Sequence, residues 1–533
     1  MQLSRSGHVD TFCRDHLPPG EQWPELLFDL PGLHYPERLN AGVVLLDDVV
    51  AQQGGDRAAL HAPGGPTWTY GDLLATANRI AHVLTDELGI VPGNRVLLRG
   101  PNNPWLAACW FGVLKAGGVA VATMPLLRSG ELRTIQEIAS ATVALCDHRF
   151  LADLEPVDVP LVSYGSDADD DLVQRAARCS DDHTAVDTAA DDVAMLAFTS
   201  GTTGRPKATM HFHRDLLAIC DTFSHHLLSP TPDDVFTGTP PLAFTFGLGA
   251  VLVFAMRVGA STLLVEKATP AELADLIAEH GVTICSTAPT AYKAMIGAGK
   301  ADALRGLRAA VSAGEHLPVA TWEAFRGATG VRIIDGIGST EILHIFVSAA
   351  GDDIRPGSTG VAVPGYVATV LDDSGNEAPT GTAGRLAIKG PTGCRYLADP
   401  RQSAYVQDGW NITGDTFRRD EDGYFYYEAR SDDMIISSGY NIAAPEVEEG
   451  VLAHPDVEEC GVVGVPDPDR GMRVKAYVVL RHGIRGDADK VKEIQDFTKQ
   501  RIAPYKYPRS VEFVDALPRT PTGKLQRFKL RDA

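Results

Sequence analysis

The sequence lacks the residue patterns of a zinc site, a disulfide framework or an export signal. Its eight cysteines are spread over 533 residues without a Cys-x-x-Cys pair, which is typical of reduced, mostly buried thiols. The first residues include Arg5, Asp10 and Arg14 and contain no apolar signal core. We therefore expect a cytoplasmic location.

Membrane-spanning character and excess positive charge are also missing. Residues 235–256 carry no charge, but Pro240, Pro241 and several glycines interrupt them. A buried strand, turn and helix explain this stretch better than a membrane span. The chain has 48 Lys and Arg against 69 Asp and Glu, a net charge of -21. This acidity disfavours nucleic acid as a partner, and we expect no membrane partner either.

Helices and strands are expected to alternate from Asn40 onward. Strand patterns at residues 95–99 and 119–122 alternate with helix patterns at residues 104–115 and 129–139, which predicts parallel sheets with crossover helices. The Asp-rich residues 166–192 are interpreted as a solvated linker. Short glycine-rich strands from residue 356 to 427 predict a small distorted β-barrel. We predict an α/β fold with a large N-terminal domain, residues 1–430, and a small α+β C-terminal domain, residues 431–533.

A polar loop after the apolar residues 193–198 suits a polyphosphate. It contains two glycines and several hydroxyl groups, followed by a lysine: Thr199, Ser200, Gly201, Thr202, Thr203, Gly204 and Lys207. Glycines let backbone N–H groups approach a phosphate closely, and hydroxyls and the lysine add donors and charge. The spacing differs from that of the common P-loop. An ordinary polar surface loop is the alternative.

Three further segments hold residues suited to nucleotide chemistry. The segment from Asp335 to Glu341 follows an apolar strand, residues 331–334, and is therefore expected at a strand's carboxyl end, where α/β sheets bind ligands. The Glu341 carboxylate suits Mg²⁺. Asp415 suits the ribose hydroxyls, and Lys524 lies in a Pro- and Gly-rich tail. Taken singly, each of these residues is more often a solvated surface group.

Together and in this order, the four segments resemble the adenylate-forming superfamily of acyl-CoA synthetases, luciferases and adenylation domains. The resemblance extends from about Asp47 to Lys529. It implies that a carboxylate attacks the α-phosphorus of ATP to give an acyl-adenylate and pyrophosphate. The thiol of coenzyme A would then displace AMP. ATP, Mg²⁺ and coenzyme A are the cofactors it implies.

The resemblance also implies residue roles. The loop from Thr199 to Lys207 would hold the β- and γ-phosphates, while Thr340 and Glu341 would attend the α-phosphate and the metal. Lys524 would stabilise the charge that develops between carboxylate and α-phosphate. The residues around adenine and ribose would be Gly314, Glu315, Asp335, Gly336, Ile337, Asp415 and Arg430. Ile337 stands where tyrosine is common, so aromatic stacking on adenine is lost.

For the second half-reaction, the resemblance implies that the C-terminal domain is mobile and rotates about a hinge at Asp432. The rotation would bring a glycine segment to the pantetheine tunnel and a cation to a phosphate of coenzyme A. These coenzyme A residues would be Ser437, Ser438, Gly439, Tyr440 and Arg473.

Local matches narrow the carboxylate to an aromatic acid. Residues 312–318, 337–346 and 430–441 resemble the benzoate–CoA ligase branch. Within it, residues 241–249 and 14–24 resemble 2-aminobenzoate–CoA ligases. The implied substrate is 2-aminobenzoate, with benzoate or hydroxybenzoate as alternatives. The predicted pocket combines aromatic walls, small residues and two polar side chains: Phe244, Thr245, Phe246, Ala288, Gly314, Gly338, Ile342 and His344.

Other functions stay open at this point. The chain could load an aryl acid onto a separate carrier protein, since no carrier segment follows Lys524. It could be a medium-chain acyl-CoA synthetase, and a long fatty acyl chain would need a deep tunnel. It could also be a non-catalytic nucleotide- or acyl-binding relative. A homodimer is compatible with the sequence.

Overall fold

The computed structural model describes residues 3–199, 206–430, 434–437, 440–467, 471–502, 506–519 and 525–531. The sequence expectations for residues 200–204, Asp432, Ser438, Gly439 and Lys524 lie outside these ranges. The chain forms two compact units, Met1–Ala368 with Ile388–Ile412, and Thr369–Ala387 with Thr413–Ala533. The domain boundary expected after residue 430, next to the hinge position, stays a prediction.

Sixteen α-helices lie in the described ranges, several of them extended by π-helical turns at Val43–Asp47, Val83–Glu87, Cys220–Leu228 and Leu248–Val253. In chain order the α-helices are α1 Phe12–Asp15, α2 Asp48–Gln53, α3 Tyr70–His82, α4 Pro104–Lys115, α5 Ser129–Ala139, α6 Leu172–Ala177, α7 His213–Ile219, α8 Thr245–Gly247, α9 Phe254–Val258, α10 Pro270–Glu279, α11 Pro289–Gly297, α12 Val319–Thr329, α13 Gln402–Tyr405, α14 Ala444–Leu452, α15 Ala488–Lys499 and α16 Arg527–Arg531.

The described ranges also contain 25 β-strands. In chain order these are β1 Ala58–His61, β2 Trp68–Thr69, β3 Arg95–Arg99, β4 Val119–Thr123, β5 Val143–Asp147, β6 Leu161–Tyr164, β7 Val193–Thr199, β8 Lys207–Phe212, β9 Val235–Gly238, β10 Ser261–Leu263, β11 Ile284–Thr287, β12 Ala309–Ala313, β13 Ile333–Gly338, β14 Ile345–Ser348, β15 Val361–Ala362, β16 Val367–Leu371, β17 Gly384–Lys389, β18 Val406–Gln407, β19 Trp410–Arg419, β20 Phe425–Arg430, β21 Met434–Ser437, β22 Tyr440–Ala443, β23 Val457–Asp467, β24 Gly471–Leu480 and β25 Ser510–Phe513.

Two mostly parallel sheets form the core of the first unit. The six-stranded sheet has the order β6-β5-β3-β4-β7-β8, in which only the β7–β8 pair is antiparallel. The nine-stranded sheet has the order β15-β14-β13-β12-β11-β9-β10-β1-β2, with a parallel centre from β13 to β1. Helices connect the parallel strands, as parallel pairing requires. The predicted α/β class is therefore confirmed.

Helix α4 shows how local sequence sets these elements. The Asn103 side chain accepts a hydrogen bond from the Leu106 N–H, and Pro104 occupies the first turn, where a missing N–H costs nothing. The chain leaves the helix at Gly117, whose φ of 71° favours glycine. These local signals explain why the predicted helix and the observed helix have the same bounds.

A five-stranded sheet, β16-β17-β19-β18 with β20 beside β19, occupies the span predicted for the small barrel. The last sheet belongs to the second unit and has the order β22-β21-β24-β23, with β25 parallel to β24. Helices α14 and α15 contribute Val447, Val451 and Ile494 to its core, beside strand residues such as Val462 and Val474. The predicted α+β C-terminal region is thus observed.

Two local expectations were wrong. Strand β13 continues to Gly338, so Asp335, Gly336 and Ile337 belong to the strand instead of the loop after it. The Asp-rich stretch is not a simple solvated linker, because Asp171 is fully buried and caps α6 through a hydrogen bond from the Val173 N–H. An aspartate at an N-cap is satisfied by the orphan N–H groups of the helix, so it need not be exposed.

Other expectations agree with the structure. All eight cysteines are free, and seven are buried. The uncharged residues 235–256 form β9 and a buried helical segment. Within the described ranges, no helix combines the length and the apolar character that crossing a bilayer requires.

Candidate active site

The frame of the predicted phosphate loop is a β-hairpin. Strand β7 ends at Thr199, β8 begins at Lys207, and these two residues are paired across the antiparallel ladder. The Thr199 Oγ1 atom is enclosed and has no hydrogen-bond partner among the described residues. A buried hydroxyl of this kind is suited to a ligand that brings an acceptor or donor.

A tyrosine that sequence reasoning missed links the predicted lysine to the predicted acid. The Lys207 Nζ donates to the Tyr396 hydroxyl at 2.5 Å, and that hydroxyl donates to Glu341 Oε1 at 2.5 Å. Lys207 Nζ and Glu341 Oε1 are 3.4 Å apart. The isolated bridge between Thr209 and Tyr396 carries this tyrosine to β8. Because Tyr396 is 189 positions from Lys207, no local sequence motif predicts that the two residues meet.

The hairpin loop between β13 and β14 presents Thr340, Glu341, Ile342 and His344. Gly338 and Ile345 are paired at its base. A Cβ atom at Gly338 would lie 2.6 Å from the His344 carbonyl oxygen, so only glycine fits there. Leu343 has a φ of 75°, an uncommon conformation for a branched side chain that allows the loop to turn between Ile342 and His344.

A buried histidine holds the backbone of this loop. The His211 Nε2 lies 2.8 Å from the Thr340 carbonyl oxygen, which can only accept, so Nε2 carries the proton. Burial, with the nearby Arg395 guanidinium, lowers the pKa of His211 to about 3. The ring is therefore neutral, and it anchors the residue next to Glu341. Asp215, on the following helix α7, pairs with Arg395 in the protein interior.

The predicted adenine residues lie on two adjacent parallel strands. Strand β12 pairs with β13 in the register Ser312 with Asp335 and Ala313 with Gly336. Gly314 follows β12 with a φ of 88°. The Glu315 carboxylate accepts a hydrogen bond from the Thr290 hydroxyl at 3.1 Å.

Asp335 is the most perturbed carboxyl group of this area. Burial raises its pKa to about 7, against the opposing effects of His316 and of hydrogen bonds. Although the residue as a whole is half-buried, its Oδ1 atom is enclosed and has no partner among the described residues. It lines a cavity together with His316, Trp322, Arg355 and Thr359. A partly protonated carboxyl group there can either donate or accept a hydrogen bond.

The predicted substrate residues converge because four parallel strands end at one edge. Phe244 follows β9, Ala288 follows β11, Gly314 follows β12 and Gly338 ends β13, and these strands are mutually paired. Parallel strands bring their carboxyl ends to the same side of a sheet, which is the common ligand side of open α/β sheets. The sheet thereby supports the grouping of these four residues.

His344 forms an aromatic cluster in this pocket. Its ring centroid lies 4.6 Å from that of Phe254, 5.4 Å from that of Phe223 and 5.6 Å from that of Phe246. Sequence reasoning missed Phe223 and Phe254. They lie on two separate helical segments, Cys220–Leu228 and Phe254–Val258, where they show only helical periodicity. Phe244 and Phe246 are half-buried. The cluster offers a flat apolar wall with one polar ring in it.

The imidazole of His344 is neutral and poorly satisfied. Burial lowers its pKa to about 3. Neither ring nitrogen has a hydrogen-bond partner in the described part of the chain. The nearby Phe246 backbone opposes the lowering of the His344 pKa, but burial has the larger effect. A neutral imidazole offers one donor and one acceptor, which suits a polar substituent on an aromatic ring.

In the second unit, several predicted residues are paired by strand register. Asp415 on β19 lies opposite Arg430 on β20 in the antiparallel register. Ser437 is buried and pairs with Tyr440 at the open end of the β21–β22 hairpin. Arg473 lies on β24 opposite Val465 and is half-buried.

Comparisons with known proteins agree with this arrangement. The family model described as AMP-binding enzyme matches residues 46–396. The model described as AMP-binding enzyme C-terminal domain matches residues 446–524.

Similar proteins and a similar solved structure carry aryl–CoA ligase names. A benzoate–CoA ligase of Thauera aromatica is 36% identical over 517 residues, covering 94% of this chain and 98% of the relative. A 3-hydroxybenzoate–CoA ligase of Aromatoleum sp. (strain CIB) is 32% identical and covers 93% of this chain and 97% of the relative. A crystal structure of the anthranilate CoA ligase AuaEII in complex with anthranoyl-AMP has a TM-score of 0.87 and 32% identity, covering 94% of this chain and 98% of that one.

Proposed function

This chain belongs to the AMP-binding enzyme family, and from that premise we propose that it joins 2-aminobenzoate to coenzyme A. It is an AMP-forming acid–thiol ligase of the aryl–CoA type. The finer assignment is ours: 2-aminobenzoate is the preferred acid, with benzoate and hydroxybenzoates as weaker substrates. ATP supplies the adenylate, Mg²⁺ assists, and coenzyme A accepts the acyl group.

One observation carries the choice of an ortho-substituted aryl acid. His344 is buried among Phe223, Phe246 and Phe254 with two unsatisfied ring nitrogens. An unpaired buried polar group costs free energy unless a ligand satisfies it. The ring of an aromatic acid would pack on the phenylalanines, while its 2-amino group or carboxylate would pair with the imidazole.

The first half-reaction needs charge stabilisation at the phosphates. In our proposal, Thr199 and Lys207 bind the β- and γ-phosphates and Thr340 binds the α-phosphate. Glu341 holds Mg²⁺, which neutralises phosphate charge when it is bound. The substrate carboxylate then attacks the α-phosphorus, the bond to pyrophosphate breaks, and an acyl-adenylate results. Lys524 stabilises the charge on the reacting oxygens, a role for which a mobile point charge is suited.

Nucleotide recognition is distributed over several strands. Gly314, Glu315, Gly336 and Ile337 provide a backbone-lined slot for adenine, and Asp335 offers a carboxyl group next to it. Asp415 and Arg430 bind the ribose. In the second half-reaction the coenzyme A thiol attacks the acyl carbon and AMP leaves. Ser437, Ser438, Gly439, Tyr440 and Arg473 serve coenzyme A in this step, and Asp432 is the hinge.

The test is a substrate screen that records AMP formation and coenzyme A consumption in parallel. We expect the highest kcat/KM with 2-aminobenzoate, lower values with benzoate and 3-hydroxybenzoate, and little turnover of 4-aminobenzoate, in which the amino group points away. Equal values for the 2- and 4-amino acids would contradict the proposed role of the ortho substituent. AMP formation that requires a carrier protein in place of coenzyme A would indicate the carrier-loading alternative.

A medium-chain acyl-CoA synthetase is the alternative that the sequence left open. The apolar cavity lined by Leu242 and Leu248, which flank the Phe244–Phe246 segment, and by Leu98, Leu106 and Trp110 has a volume of about 10 Å³, which is too small for an alkyl chain. Octanoate in the same screen distinguishes the two, because an aryl slot without a tunnel turns it over poorly.

A further inference from the structure

The hydroxyl group of Tyr396 has only one possible polarity. Lys207 carries an ammonium group that can only donate, and an ionised Glu341 can only accept. The single hydroxyl proton must therefore point to Glu341, while the oxygen accepts from Lys207. The tyrosine is fully buried, so bulk water does not compete for either hydrogen bond.

This bond fixes one half of the Glu341 carboxylate. Oε1 accepts the hydrogen bond that the Tyr396 hydroxyl donates, and no hydrogen bond to Oε2 is formed by the described residues. The rotation of the carboxylate is restricted, because a short charge-assisted hydrogen bond holds one oxygen in place. A second oxygen is left to face a ligand. Residues that hydrogen-bond a metal ligand in this way usually tune the affinity of the site for the metal ion.

We propose that Tyr396 is a positioning residue that orients the Glu341 carboxylate toward the divalent cation of the bound nucleotide. The inference rests on the proposed function, in which Glu341 is the metal ligand. In this structure the same hydroxyl accepts a hydrogen bond from Lys207, whose Nζ lies 4.5 Å from the centre of the tyrosine ring. When phosphate oxygens replace the hydroxyl as the partner of Lys207, the bond to Glu341 is kept.

Tyr405 provides a matched control within the same cluster. Its ring lies 5.8 Å from that of Tyr396 in an edge-on arrangement, and Lys207 Nζ lies 5.8 Å from its centre. Its hydroxyl is 3.2 Å from the Ser339 hydroxyl, whereas the hydroxyl that donates to Glu341 is that of Tyr396. Removing this hydroxyl therefore perturbs the same aromatic cluster without touching the carboxylate.

The experiment measures equilibrium binding of a non-reactive ATP analogue by calorimetry at a series of Mg²⁺ concentrations, with no acid substrate present. In Tyr396→Phe we expect the Mg²⁺ concentration for half-maximal binding to rise about 10-fold or more, as is common for partners of metal ligands. In Tyr405→Phe it should stay within about 2-fold. The Michaelis constant for the aryl acid should change little in either variant.

A double-mutant cycle separates positioning from a general loss of structure. If Tyr396 acts through Glu341, then adding Tyr396→Phe to Glu341→Gln should not shift the Mg²⁺ dependence further. An unchanged Mg²⁺ dependence in Tyr396→Phe, or equal weakening in both tyrosine variants, would overturn the inference while leaving the proposed function intact. Absence of Mg²⁺-dependent nucleotide binding by the unaltered protein would overturn both. If Tyr396→Phe lowers the melting temperature, the Mg²⁺ dependence of the folded variant still tests the inference.

Discussion

His211 and His344 are enclosed by protein, and burial lowers the pKa of each to about 3. Both imidazoles are therefore neutral near pH 7, and neither can act as a cationic partner of a carboxylate. Their roles differ because their hydrogen bonds differ. The His211 N–H donates to the Thr340 carbonyl oxygen, whereas both ring nitrogens of His344 are open to a ligand. Neutral buried histidines next to a substrate slot are selective donors and acceptors instead of charges.

Replacement of His344 should separate stability from activity. His344→Leu removes two unsatisfied buried nitrogens at similar volume, so we expect an unchanged or higher unfolding free energy, by about 1 kcal/mol. The kcat/KM for 2-aminobenzoate should fall about 10- to 100-fold, because the ortho group loses its partner. Thermal unfolding and steady-state kinetics measure the two effects. A variant that is destabilised but equally active with 2-aminobenzoate and benzoate would assign His344 to the core alone.

Asp335 should make stability depend on pH. Its folded pKa is about 7, above the ordinary value of 3.8, so between these values the folded protein binds a proton that the unfolded chain has lost. Ionisation of the aspartate therefore does not lower the free energy of unfolding below about pH 4, and it lowers that free energy most above pH 7. Asp335→Asn should raise the melting temperature over that of the unaltered protein more at pH 8.5 than at pH 5. A difference that is independent of pH would show that the carboxyl group titrates normally.

Among the elements, the hairpin loop of residues 339–344 depends on close packing against a neighbouring helical segment. A Cβ atom at Gly249, in Leu248–Val253, would lie 2.5 Å from Cδ2 of His344, so the π-helical segment passes directly over the imidazole. The loop itself contains Leu343 in a left-handed conformation with its side chain fully buried. Packing thus offsets a backbone conformation that branched side chains disfavour.

Gly249→Ala should test this packing at the cost of one methyl group. The His344 ring must move, so we expect destabilisation of about 1–3 kcal/mol, as for other overpacked sites, and a loss of aryl-acid turnover. Gly130→Ala on α5 is the matched control, because nothing lies within 4 Å of its Cβ position. That change should stabilise the protein by about 0.5–1 kcal/mol through helix propensity. Similar effects of the two substitutions on turnover would contradict the close contact.

At the scale of the whole molecule, each compact unit has its own apolar core, and the predicted roles are divided between them. The first unit contains Lys207, Glu341 and His344, while Asp415, Arg473 and Lys524 belong to the second. The chain carries a net charge of -21, and only a few Lys and Arg side chains belong to the predicted site. A small anionic nucleotide therefore depends on particular cations and N–H groups instead of on the general field of the protein.

Lys524 is where this division can be tested. Lys524→Ala should slow adenylation, measured by ATP–pyrophosphate exchange, by about 100-fold or more, since charge-stabilising groups commonly contribute that much. Thioester formation from supplied aryl-adenylate should stay close to normal. Lys529→Ala, an exposed lysine of the same tail, is the control. Equal losses in both half-reactions would refute the assigned role.

Much of the fold and part of the site follow from local sequence. The caps of α4, the alternation of apolar strands and helices, and the order of the four polar segments are encoded within a few residues of where they act. For that reason the α/β class, the bounds of α4 and the family could be predicted. Lys207 and Glu341 could be named as candidates, and the structure brings them within 3.4 Å of each other. Such signals are short-ranged, because hydrogen-bonded turns and side-chain periodicity involve near neighbours.

The tertiary structure alone decided the rest. Tyr396 reaches Glu341 and Lys207 only because distant segments pair. Phe223 and Phe254 surround His344 only because two separate helical segments, Cys220–Leu228 and Phe254–Val258, pack against the loop. The neutral state of His344 and the raised pKa of Asp335 likewise depend on burial, which no residue type carries by itself. Enclosure and long-range pairing are properties of the folded arrangement, so these features had no signature in the order of residues.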